Sequence, residues 1–179
     1  MKGIILNLLE EAVIAEFGDA AWPNLIDLAG VSGVYTSLGS YPDEDVYALV
    51  RAASEALTTS QEEILRWFGR RAIPLLADRY GVFFEHHRTA RSLILSLNEI
   101  IHPEVRKLYS GAGCPHFQFS DHADGRLVIG YQSPRKMCQL MHGFVEGTST
   151  YFAETVELEH LACMQDGSPQ CRVAVHWAG

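Results

Sequence analysis

Tyr131-Gln132-Ser133-Pro134-Arg135-Lys136-Met137-Cys138 is the stretch whose reading decides the fold. The residues before it, Leu127-Val128-Ile129-Gly130, are apolar and rich in β-branched types, so Tyr131 continues a strand. On an extended backbone Tyr131, Ser133 and Arg135 leave one face. Two hydroxyls and a guanidinium fork suit a carboxylate held away from water. Ser before Pro is also a helix-start signal, with Ser as cap and Pro at the first helical position. The stretch thus predicts a strand that hands over to a helix, with a clamp at the joint and Cys138 one turn further on. Taken alone, Tyr-x-Ser-x-Arg is more often a strand end with surface polar groups.

On the C-terminal side the helix after Pro134 is expected to last to about Phe152. Val156, Leu158, His160 and Ala162 then alternate, Asp166-Gly167-Ser168 turns, and Cys171, Val173, Val175 and Trp177 alternate again. On the N-terminal side Asp124-Gly125 is a hairpin signal, with Phe117 and Phe119 on the strand before it. At Gly111-Ala112-Gly113 the hydrophobic period changes, along the chain, from that of a helix to that of a strand.

Everything upstream reads as helix. Ala90 to about Tyr109 carries Leu93, Ile94, Leu97, Ile101, Val105 and Leu108 on one side. A helix capped by Thr59 or Ser60 carries Ile64, Leu65, Phe68, Ile73, Leu75 and Leu76, with Pro74 expected to bend it. Pro42-Asp43-Glu44-Asp45 starts another, running to about Leu57, with acids where the helix dipole favours them. A short helix from Asp19 to Leu28 closes at Gly30, and an amphipathic first helix closes at Gly18. The expected architecture is a single α+β domain over residues 1–179. Its helical half spans about 1–110, and its half of antiparallel sheet plus one long helix spans about 111–179.

The chain has 179 residues and a net charge of -8, which argues against nucleic acid and anionic membrane surfaces as partners. No apolar run is long enough to span a bilayer. The opening Met1-Lys2-Gly3-Ile4-Ile5-Leu6 resembles a signal peptide, but Glu10 and Glu11 cut the apolar run short. Four cysteines are too few for a disulfide scaffold at this length, so a cytoplasmic protein with free or metal-bound thiols is expected.

Two sites call for chemistry. His102 lies in the most helical stretch of the chain, yet Pro103 follows it and should distort the helix there. Imidazole is the usual proximal ligand of haem iron, and a haem carries two propionates that the clamp could hold. Pro115 could press on a flat ligand from the side of His102. The bland alternative is a core histidine bonded to a carbonyl one turn back. The second site is Cys138, His160, Cys163 and Cys171, a candidate zinc set. Cys163 and Cys171 are symmetric about Gly167, so they should face each other across two strands. His160 precedes Cys163 by an odd separation, so the site needs a bulge or a strand end between them. A Cys163–Cys171 disulfide and small buried thiols remain open.

Met1-Lys2-Gly3-Ile4-Ile5, Ile101-His102-Pro103-Glu104-Val105 with Leu108-Tyr109, Pro115, and Tyr131-x-Ser133-x-Arg135 occur in this order. With those residues the chain resembles, over essentially its full length, a haem-nitric oxide/oxygen binding (H-NOX) domain of the bacterial, zinc-containing subgroup. The resemblance implies haem b with His102 as the iron ligand, Tyr131, Ser133 and Arg135 on the propionates, and Pro115 against the macrocycle. It implies distal lining by Ile5, Leu9, Leu75, Leu140 and Phe144, and structural zinc on Cys138, His160, Cys163 and Cys171.

Some oxygen-binding members of that family keep a tyrosine where this chain has Leu140, which donates nothing. His142 is about 200 degrees round the helix from Leu140 and should point away. The expectation is a sensor, without catalysis of its own, that takes nitric oxide and carbon monoxide and refuses oxygen. By resemblance, nitric oxide frees His102 from iron, and the signal passes to a histidine kinase or an enzyme of cyclic-di-GMP metabolism. Two other readings compete: a haem-free, vinyl-reductase-type module for a small hydrophobic ligand with a structural zinc, and a thiol enzyme using Cys114 with His116 and Asp121.

Overall fold

A computed structural model describes residues 1–122 and 124–178. Four helices open the chain: α1 (Gly3–Phe17), α2 (Ala21–Ala29), α3 (Asp43–Leu57) and α4 (Gln61–Arg79). The predicted stops hold, since α1 ends at Gly18 with φ 86° and α2 at Gly30 with φ 66°, values that favour glycine. Ser60 caps α4 by accepting from the Glu63 amide at 3.1 Å. The helix then runs as one element through Pro74.

The single helix expected from Ala90 to Tyr109 is three pieces. α5 (Ala90–Leu95) gives way to a wide π-type turn at Leu97–Ile101, and α6 (His102–Leu108) follows. Pro103 has no amide to give and its ring crowds the preceding turn, and here the α ladder is interrupted on the approach to it, although α4 carries Pro74 without a break. The chain inserts a residue instead, and the His102 amide donates to the Leu97 carbonyl, five residues back.

The second half is β1 (His116–Asp121), β2 (Leu127–Gln132), α7 (Cys138–Tyr151), β3 (Thr155–Ala162) and β4 (Cys171–Ala178). The sheet is antiparallel in the order β1-β2-β4-β3, with α7 leading from β2 to the far edge strand. The α+β expectation therefore holds. One local reading does not. Ser133-Pro134 opens a tight turn rather than α7: the Ser133 carbonyl accepts from the Lys136 amide at 3.1 Å, and Lys136 sits at φ 50°. The same dipeptide suits the first two positions of a β-turn, and a residue at positive φ prevents a helix from following. The helix begins at Cys138, with no side-chain cap.

Two large apolar cores result, with a smaller cluster of Ile73, Phe84 and Leu93 beside them. One joins α1–α4, with Leu6, Leu8, Leu49 and Phe68 fully buried. The other lies between the sheet and α7 around Leu127, Ile129, Val173 and Val175. The halves meet where α4 crosses α7 on glycine. A Cβ on Gly143 would lie 2.1 Å from the Arg66 carbonyl oxygen, and one on Gly69 would lie 2.6 Å from that of Leu140. Only hydrogen fits there. No helix among the described residues is long and apolar enough to cross a membrane.

Candidate haem cavity and metal cluster

Between the two cores lies a cavity of about 400 Å³, within the size range of a small-molecule site. Residues far apart in the chain line it: Ile5 from α1, Ile73 and Leu76 from α4, His102 and Val105 from α6, Pro115, Phe117 and Tyr131 from the sheet half, and Leu140 and Phe144 from α7. Ser133 and Arg135 complete the polar part. Two of the expected distal residues are elsewhere. Leu9 is buried in the helical core one turn beyond Ile5, and Leu75 packs against that same core. On α4 it is Ile73 and Leu76, three apart on one helix face, that turn to the cavity.

The His102 ring stacks on Phe117, with ring centroids 5.7 Å apart and planes 28° from parallel. Its Nδ1 is buried and has no hydrogen-bond partner, so the bland alternative of a histidine tied to a carbonyl is not what the structure holds. Burial, and then the nearby Arg106 charge, lowers its pKa to about 4. The ring is therefore neutral at physiological pH and has a lone pair to offer a metal.

Tyr131 and Ser133 are each 2% exposed, and burial pushes the Tyr131 phenol up to about 12, so it remains a donor. Arg135 is gripped from both halves. Its Nε donates to Asp43 Oδ1 at 2.9 Å, one terminal nitrogen donates to the Gly113 carbonyl at 2.7 Å, and the Tyr47 hydroxyl donates to the Arg135 carbonyl at 2.9 Å. Burial alone would raise the Asp43 carboxyl, but the Met1 amino group and Arg135 outweigh it and hold it below the usual range. Nothing in the sequence ties Asp43 or Tyr47 to Arg135, because the partners are about ninety residues apart.

Cys114 also lines the cavity. Burial pushes its thiol up despite Arg106 and Arg135, the opposite of an activated nucleophile.

Next to the clamp, where Cys171 on β4 pairs with Tyr131 on β2, Cys138, His160, Cys163 and Cys171 bring four ligand atoms within 4.8 Å of one another. The spacing asked for a bulge or a strand end, and both are present: His160 faces Val173 and Ala162 faces Arg172, leaving Leu161 as the extra residue, and β3 ends at Ala162, before Cys163. Cys163 Sγ lies 3.8 Å from Cys138 Sγ and 3.9 Å from Cys171 Sγ. Sulfur atoms bound at about 2.3 Å to one tetrahedral metal would be roughly 3.8 Å apart. A disulfide, at about 2.05 Å, is not formed. Burial and the neighbouring sulfurs push the Cys138 and Cys171 thiols up, so only a cation would make thiolates of them. The Met164 amide donates to Cys171 Sγ at 3.2 Å and the Gln165 amide to Cys163 Sγ at 3.4 Å, contacts that suit anionic sulfur. The His160 Nε2 is buried without a partner. Three thiols and one imidazole in this arrangement could hold a metal ion.

Residues 2–160 match the Haem-NO-binding family. The chain belongs to that family. It is an H-NOX haem-binding gas-sensor domain, and its fold is that of solved H-NOX proteins. An H-NOX protein from S. oneidensis in the Fe(II)NO ligation state superposes with TM-score 0.93 at 27% identity, covering 100% of both chains. An H-NOX domain from Shewanella oneidensis in the Fe(II)CO ligation state gives 0.90 at 27% identity, over 100% of this chain and 99% of that one. The Fe(II) unliganded H-NOX protein from K. algicida gives 0.85 at 25% identity, over 100% of this chain and 97% of that one.

The donor set fits haem: a neutral imidazole with an unpaired nitrogen, an apolar slot, and three buried or anchored donors for acid groups. Sequence reasoning missed three features of the H-NOX site. The Asp43–Arg135 pair is one. The Tyr80 and Tyr109 hydroxyls, hydrogen-bonded to each other at the cavity wall, are another. The third is the contact of His142 with His160: His142 points away from the cavity, as expected, but is only 3% exposed and packs on that ring.

Proposed function

We propose that this H-NOX domain is a nitric-oxide sensor that takes nitric oxide and carbon monoxide, discriminates against oxygen, and passes the signal to a separate protein. Haem b would supply a ferrous iron able to take diatomic gases. His102 would hold that iron. Tyr131, Ser133 and Arg135 would hold the propionates, and Pro115 and Phe117 would pack against the macrocycle. The solved relatives named above carry nitric oxide and carbon monoxide on Fe(II), which supports the same ligands here.

The observation that carries the selectivity is the lack of a free donor on the α1 and α7 walls. Ile5, Leu140, Met141 and Phe144 donate nothing. The one hydroxyl on that face of α7, Thr148, already donates to the Phe144 carbonyl at 2.7 Å. Retaining oxygen calls for a hydrogen-bond donor far more than retaining nitric oxide or carbon monoxide does. Proximal release is favoured by the same economy of contacts. A ligating imidazole is made a stronger donor when its other nitrogen is hydrogen-bonded, and His102 Nδ1 has no such partner.

Were the His102 ring released, α6 would be freed from the cavity, and the halves could adjust across the glycine contact of α4 and α7. The chain performs no reaction itself. Its output goes to a histidine kinase or an enzyme of cyclic-di-GMP metabolism. The cysteine–histidine cluster binds zinc in a closed, four-ligand structural site.

The test is optical. Purified and reduced protein should show a strong Soret band that shifts on nitric oxide and stays in place in air. A colourless protein that gains no absorbance from added hemin would refute the haem reading in favour of a haem-free ligand module. An air-stable oxygen spectrum would refute the selectivity.

A further inference from the structure

His142 is a buried imidazole that the haem site does not use. It lies on the face of α7 opposite the cavity, one turn after Cys138 and one turn before Glu146. Both of its nitrogens are buried without a hydrogen-bond partner, which native interiors rarely allow. Glu146 cannot serve it. The Glu146 carboxylate is taken by Arg66 Nε at 2.9 Å and by Arg70 at 2.9 Å. The ring that His142 does meet is His160, with centroids 4.9 Å apart and planes at 45°. An N–H···N bond of about 2.9 Å between two imidazoles places their centroids roughly 5 Å apart, so a small turn of either ring would make it.

His160 has a matching need. A histidine that gives one nitrogen to a metal carries its proton on the other, and that N–H is normally donated to an acceptor which sets the ring orientation. His160 Nε2 is buried and unpartnered, and an uncharged imidazole offers one lone-pair nitrogen. We propose that His142 is a positioning residue for the metal cluster: it accepts the N–H of His160 and so fixes which His160 nitrogen faces Cys138, Cys163 and Cys171. This rests on the reading of that cluster as a zinc site. It also means that α7 supports the cluster twice, through Cys138 as a ligand and through His142 one turn on, while its other face lines the haem cavity.

The experiment is zinc competition between the full-length, haem-loaded chain and a chromogenic chelator, with the Soret band as a check that the fold survives. His142→Leu should weaken zinc binding about 10- to 100-fold. His142→Gln, which restores an acceptor oxygen, should recover most of that loss. In a His160→Cys background no imidazole remains to be oriented, so His142→Leu should change zinc affinity by less than about twofold. Unaltered affinity in His142→Leu, or an equal loss with and without His160, would overturn the inference while leaving the zinc site standing. A wild-type chain that binds no zinc at all would overturn both.

Discussion

The haem cavity and the metal cluster are built in opposite ways. The cavity is a gap between two cores, walled by residues from Ile5 to Phe144, and its polar groups are few and spaced apart. The cluster draws four ligands from residues 138–171, within one subdomain, with backbone amides already aimed at two of the sulfurs. A site between two cores can change when they shift, which suits a switch. A site stapling a hairpin to the start of α7 can only hold or fail. The contrast teaches that one fold can separate the group that must respond from the group that must not.

The largest expected effect lies at the cluster. Cys171 is 0% exposed, and Cys171→Ala should remove the metal and destabilise the chain by about 4 kcal/mol in urea unfolding, while haem content per folded molecule is retained. Equal loss of haem and metal would dissolve the separation of the two sites.

Acid should act on both regions. His102 and His142 have folded pKa values of about 4, lowered by burial in each case, against about 6.5 when unfolded. Between those values the unfolded chain binds protons that the folded chain refuses. Stability is therefore full above about pH 6.5 and falls as pH drops towards 4, by up to about 3 kcal/mol from His142. Urea unfolding of apoprotein across that window should show the fall in wild type and a smaller one in His142→Leu.

Gly143→Ala acts on the joint between the regions. The new methyl meets the Arg66 carbonyl, so α4 and α7 must separate, at a cost of about 2 kcal/mol. Haem affinity or the nitric oxide spectrum should change, and zinc affinity should not. Asp43→Asn should have the smallest effect. It weakens a part-exposed charged hydrogen bond to Arg135, worth about 1 kcal/mol, and should speed haem loss a few-fold in a transfer assay without touching zinc.

How much of this was legible depends on the range of each signal. Strand alternation, glycine stops and the Ser60 cap are local, and each is where the residues place it. The odd His160–Cys163 spacing asked for a bulge or a strand end, and Leu161 and the end of β3 at Ala162 supply both. Ser133-Pro134 misled because a turn and a helix start share those residues, and what distinguishes them is the backbone of Lys136. The proline after His102 announced a distortion, but a pattern of apolar residues does not reveal that a π-type turn absorbs it. Leu9 and Leu75 are apolar on the right helices, yet a helical wheel cannot tell a face turned to a cavity from one turned to a core. The Asp43–Arg135 and His142–His160 contacts have no local signal at all, since they exist only once distant elements have packed.

The central claim is that an unassisted His102 holds ferrous iron, and that the α1 and α7 walls of the cavity offer no free donor. Resonance Raman of the reduced protein before and after nitric oxide, followed by exposure of the reduced protein to air, tests it most directly. The account predicts an iron–histidine stretch that vanishes with nitric oxide, is absent from the start in His102→Ala, and persists in air. A stretch that survives nitric oxide, or a stable oxygen complex formed in air, would contradict it.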